Sequence, residues 1–163
     1  MSAPKGYSSL QIHLHWVVAI LIVAQFVFAE GIEEAWRAFE EGGAAVFNFM
    51  VGVHVVGGVL VGAFALWRIK LRRSRGVPDA PEHDPALQKL AAHLTHLALY
   101  GLMILLPISG MAAWFGGVLV AGEVHQLLKM ALIVLVLLHV LAVLYHQFVV
   151  KDGLLARMKR PLD

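Results

Sequence analysis

The chain of 163 residues carries nine histidines and no cysteine. Eight of the nine lie in or beside strongly apolar runs: His13, His15, His54, His93, His96, His125, His139 and His146. His83 sits in the polar stretch "SRGVPDAPEHDP" and reads as a solvated loop residue. Ionisable side chains at membrane depth are costly and usually face the bundle interior with a partner. The missing thiols exclude disulfides, thiolate-held iron–sulfur clusters, cysteine zinc sites and covalent c-type haem. Any bound metal or cofactor is left to imidazole, carboxylate or backbone.

The most informative spacing is His125 to His139. Fourteen residues of helix rise about 21 Å and return to within about 40° of the same face. Two haems stacked one towards each leaflet need ligands on one helix at about that separation. His139 to His146 spans only about 10 Å, too little for two macrocycles. Haem iron capped by imidazole on both sides is an electron carrier with no open position, so each partner histidine must come from another helix. The first apolar run offers His15 and the second offers His54. Around His54, "GVHVVGGVLVG" brings Gly52, Gly57, Gly58 and Gly62; such small residues admit either a flat ring or a neighbouring helix.

Four segments are long and apolar enough to position these residues, since a spanning helix needs about 20 mainly apolar residues. They run over Leu10–Ala29, Val46–Trp67, Leu90–Phe115 and Val124–Val150. With 60% hydrophobic and 15% charged residues, against about a quarter charged in soluble domains, the solvent of this chain is lipid. Helices are the only open-ended solution there, so the expected fold is an all-α, up-down four-helix membrane bundle forming a single domain over 1–163. "SSLQ" (Ser8–Gln11) has the form of a capping box. "DP" (Asp84–Pro85) is expected to supply an N-cap and a first-position proline to the third span, and Pro107 to kink it. "FVFAEG" lacks an Ala-x-Ala cleavage site, so the first span is expected to be a permanent anchor.

Charge sets the expected direction. "RIKLRRSR" (Arg68–Arg75) holds five basic residues, and the C-terminal tail adds Lys151, Arg157, Lys159 and Arg160. "EGIEEAWRAFEEGG", after the first span, holds five glutamates and one arginine. By the positive-inside bias, both termini and the basic loop are cytoplasmic. Trp16 and Trp67 then fall at the inner interface, Trp36 and Trp114 at the outer. The net charge of +2 is localised beside the membrane segments, which argues against nucleic acid as a partner.

"LQIHLHW", "VGVHVVGG", "LAAHLTHLALYGLMILLPISG", and a histidine followed fourteen residues later by "HVLAVLYHQF" together resemble the prokaryotic cytochrome b561 family over almost the whole chain. That family is similar in turn to the cytochrome b subunits of formate dehydrogenases and nickel–iron hydrogenases. The resemblance implies two non-covalent b haems in a bacterial inner-membrane protein, with axial ligands His15 and His139 for the inner haem and His54 and His125 for the outer. By depth alone His146 matches His15 better than His139 does, so it stays in reserve. His13, two residues from His15, points about 160° away and reads as interfacial. His93 and His96 fit either a haem propionate or quinone contact or a plain interhelical bond. Lys129 fits an outer propionate or a snorkelling lysine.

The resemblance implies single-electron transfer to or from membrane quinone, with superoxide:ubiquinone oxidation as the alternative within the family. Two features weaken superoxide chemistry here. The last outer loop, "GGVLVAGE", is shorter than in the superoxide-oxidising members, and the acidic outer loop repels an anion. That same loop suits a basic soluble redox partner. A haem-free, histidine-lined metal transporter is the reading from another class; against it, no span carries a carboxylate at its apolar centre, and the histidines fall at two levels instead of along one path.

Overall fold

The computed structural model describes residues 4–44, 46–81 and 84–162. His83 and Asp163 lie outside them. All regular structure among the described residues is helical: α1 (Ser9–Val27), α2 (Glu30–Glu40), α3 (Phe49–Ser74), α4 (Ala86–Trp114) and α5 (Leu119–Tyr145). A π-helical turn, His146–Val150, extends α5, and a 3₁₀ turn, Leu154–Met158, lies in the tail. The four long apolar helices are α1, α3, α4 and α5 with its π turn.

The α1 start is built as its sequence implies. Gln11 N–H donates to Ser8 Oγ (3.2 Å) and Ser8 N–H donates to Gln11 Oε1 (3.0 Å), so two of the orphan donors of the first turn are satisfied. The α4 start differs from expectation. Pro85 is the N-cap, Ala86 the first helical residue, and no side chain caps the end. The Asp84 carboxylate instead lies with His146 and Asp152, their ligand atoms within 4.8 Å of one another.

Hydropathy also misplaces several ends. The α3 helix begins at Phe49, capped by Asn48 Oδ1 accepting from Val51 N–H (2.9 Å), and continues through the basic residues to Ser74. Charge does not stop a helix whose backbone has no reason to break. The α4 helix runs unbroken through Pro107, and Gly62 of α3 packs there: a Cβ at Gly62 would stand 3.0 Å from Pro107 Cγ.

The buried core is Val18, Val61, Ala65 and Met103, contributed by α1, α3 and α4. The α5 helix is placed differently. Its close backbone contacts among the spanning helices are with α4, and it stands off from α1 and α3. The histidine pairs lie across that gap. At the end bearing the termini, the tail folds back: Leu162 N–H donates to Tyr7 O (3.0 Å) and Trp16 Nε1–H to Met158 O (2.8 Å). At the opposite end, α2 lies against the start of α5, with the Trp36 ring seated on Gly122, where a Cβ would collide with it. Trp36 and Trp114 sit together there, ring centroids 6.4 Å apart.

Candidate functional site

At the end bearing the termini, the basic end, His15 of α1 meets His139 of α5 with ring centroids 6.4 Å apart and planes at 60°. His96 of α4 joins them, 5.3 Å from the His139 ring, its Nδ1–H donating to Ala92 O at 2.7 Å. His93 and His13 are exposed and are not brought into the group. Arg68 of α3 donates from a guanidinium nitrogen to His15 Nδ1 at 3.0 Å and lies over the Tyr100 ring at 5.5 Å. Burial raises the nearby Tyr7 phenol above its ordinary pKa despite Arg72, so the phenol is neutral and leaves the basic charge around it intact.

At the opposite, acidic end, His54 of α3 meets His125 of α5 at 6.2 Å with planes at 68°. His125 Nδ1–H donates to Leu106 O at 2.9 Å, with Ser109 Oγ 3.1 Å away. That bond places the proton on Nδ1 and leaves Nε2 with its lone pair facing the gap. Gly110 makes room for the ring: a Cβ there would lie 3.1 Å from it. His54 Nδ1 is buried with no hydrogen-bond partner. A cavity of about 150 Å³ lies against both histidines, also lined by Gln25, Gly58, Trp36 and Lys129. Lys129 Nζ donates to Glu33 Oε1 of α2 at 2.8 Å, so its charge is already matched.

His146 belongs to neither pair. It is only 6% exposed. Its Nδ1–H donates to Asp152 Oδ2 at 2.5 Å, and its Nε2 accepts from Gln88 Nε2 at 2.8 Å. With both ring nitrogens committed, it fastens the start of α4 to the tail. The glycines around His54 divide in role. Gly57 receives the Gln25 side chain and Gly62 receives Pro107, while Gly58 lines the cavity.

Both pairs suit an iron between two imidazoles. Metal–imidazole bonds of about 2 Å put the ring centroids about 6 Å apart, and the stand-off of α5 leaves room between the helices. The His125 ring, held with Nε2 towards the gap, is oriented as a group bound on that pair would need.

Arg68, Ser109, Gly110 and Gln25 escape a search for histidines. One signal was in the sequence: Arg68 follows His54 by the same fourteen residues that separate His125 from His139, so α3 presents it at the level of the other pair. Counted only as a topological charge, it was missed.

A bundle of four apolar helices with paired imidazoles towards both ends is an arrangement that a membrane b-type cytochrome would use. Residues 6–161 match the prokaryotic cytochrome b561 family, and the chain belongs to it: a multi-pass membrane electron-transfer protein binding haem b. Among its relatives, cytochrome b562 of Cereibacter sphaeroides is 40% identical, covering 99% of both chains. A probable superoxide oxidase CybB of Yersinia pestis is 31% identical over 94% of this chain and 96% of its own. The cytochrome b561 homolog 1 of Escherichia coli K12 is 27% identical over 93% and 96%.

Proposed function

We propose that this protein holds two non-covalent b haems, one between His15 and His139 and one between His54 and His125, and carries single electrons through the membrane to or from quinone. The observation that carries this reading is the near-equal spacing of the two imidazole pairs, 6.4 and 6.2 Å, at opposite ends of α5. When bound, haem supplies reversible one-electron chemistry. The chain's own part is to hold the rings and exclude water. His125 is locked by the Leu106 carbonyl, Gly110 gives that ring its place, and the Val18–Val61–Met103 core keeps the two levels apart.

The termini and the Arg68–Arg75 segment face the cytoplasm and α2 faces the other side of a bacterial inner membrane, on the basic-residue bias. His93, exposed on α4 at the basic end, offers an imidazole donor to a quinone carbonyl arriving from the bilayer, while the N–H of His96 is already given to Ala92 O. On the opposite face the glutamates of α2 suit a basic soluble redox partner. The Yersinia relative's name favours superoxide as an alternative donor, and Lys129 lines the cavity at that end. The pairing of Lys129 with Glu33 removes the cation an anion would seek, so the partner-protein reading is preferred.

The test is haem per chain, with oxidised and dithionite-reduced spectra, in purified wild type and in His139→Ala and His54→Ala. Each variant should lose about half the haem, a different half in each. Full haem in His139→Ala with loss in His146→Ala would overturn the assignment.

A further inference from the structure

The two ends carry different charge at the level of the histidines. Arg68 reaches that level on α3 and contacts His15 and the face of Tyr100. Arg68 forms no ion pair with a carboxylate among the described residues. Arg72, one turn further along α3, adds charge of the same sign. At the other end, Lys129 is matched by Glu33.

The Arg68 contact also has a proton conflict built into it. A guanidinium has donors and no acceptor, so His15 Nδ1 must accept from it, which puts the imidazole proton on Nε2. A neutral imidazole that gives Nε2 to iron carries its proton on Nδ1 and cannot face that donor. When the ring binds iron, Arg68 must leave Nδ1. It is half-buried on a spanning helix, and a desolvated cation needs a new partner. The propionate carboxylates on the edge of haem b are the anions available, and a guanidinium fork matches a carboxylate.

Resting on the bis-imidazole reading above, we infer that Arg68 is the propionate-binding residue of the haem between His15 and His139, and that offsetting a propionate charge there, where Lys129 at the other end is already taken by Glu33, makes this the higher-potential haem of the two. Reduction adds one electron to the iron and no proton to the site. A haem whose propionate charge is offset by a cation is therefore easier to reduce than one whose propionates are left uncompensated. The transfer it favours runs from the acidic end to the basic end. With haem held by both pairs, one electron given up at the His54–His125 end would be accepted at the His15–His139 end, with no bond made or broken.

The experiment is an optical redox titration of the purified haem-loaded protein. Wild type should show two one-electron waves, and His139→Ala should lack the upper one. Arg68→Gln should lower the upper wave and leave the lower in place, with Arg68→Lys restoring most of the shift. Glu33→Gln, which releases Lys129, should raise the lower wave and narrow the gap. The inference is overturned if Arg68→Gln moves only the lower wave or neither, or if His139→Ala removes the lower wave. Should Arg68→Gln fail to load haem, Glu33→Gln decides, because an unchanged gap there overturns the charge argument. If neither His139→Ala nor His54→Ala removes a wave, the ligand reading itself has failed, which is a separate outcome.

Discussion

The two ends of the bundle solve the same geometric problem with different supports. Both bring a ring from α5 to within little more than 6 Å of a ring on another helix. At the acidic end the α5 histidine is oriented by a backbone carbonyl of α4, and the nearest cation is matched by a glutamate of α2. At the basic end a third histidine and an arginine crowd the pair, and a folded tail fastened by His146 lies beyond it. Equal spacing with unequal surroundings would give the proposed relay a direction. In the proposed di-haem reading the paired rings would hold iron, and the charges around them would set which end holds the electron.

Substitutions that touch one end only test this contrast. The largest effect is expected from His146→Ala. It removes one partner of a buried pair with Asp152, which should destabilise the protein by about 3 kcal/mol. Haem per chain measured at low temperature should stay unchanged, and the thermal midpoint should fall. Loss of one haem at low temperature would instead make His146 a ligand.

Gly110→Ala puts a methyl against the His125 ring and should cost about 1–3 kcal/mol by overpacking. On warming, the haem between His54 and His125 should dissociate first, seen as loss of one spectral component. Equal loss from both ends would show that the ends are not independent.

Ser8→Ala removes the α1 cap and should cost about 1 kcal/mol. It should loosen the basic end only, read as faster hydrogen exchange in the first turns of α1 with α5 unchanged near His125.

The smallest effect is kinetic. In stopped-flow reduction of reconstituted protein, a cationic donor protein should react several-fold more slowly as salt rises through screening of the α2 glutamates, while superoxide should react slowly and speed up. Fast superoxide reduction that falls with salt would reverse the preferred order of donors.

Much of the site was legible because it is written along single helices. The fourteen-residue interval on α5 is a local property, set by the 1.5 Å rise and 3.6 residues per turn, and it survives whatever the helix packs against. The Ser8–Gln11 box is legible for the same reason, since both partners lie within one turn. The α2 helix was less so. Ile32, Trp36 and Phe39 recur on one helical face of Glu30–Glu40, but a segment so rich in glutamate reads first as loop charge. The Asp84 cap failed because a distant group, His146, lies where the carboxylate could reach it.

The sequence by itself determined four apolar spans, histidines at two levels and opposite charge at the two ends, because hydropathy, helical rise and side-chain charge do not depend on neighbours. Only the tertiary structure decided that His15 faces His139 and not His146, that His96 enters the group while His93 stays outside, and that Lys129 pairs with Glu33 while Arg68 has no carboxylate partner among the described residues. Those outcomes depend on how each helix is rotated about its axis and how far α5 stands from α1 and α3. Both are set by packing contacts such as Gly62 on Pro107 and Trp36 on Gly122, between residues far apart in the chain.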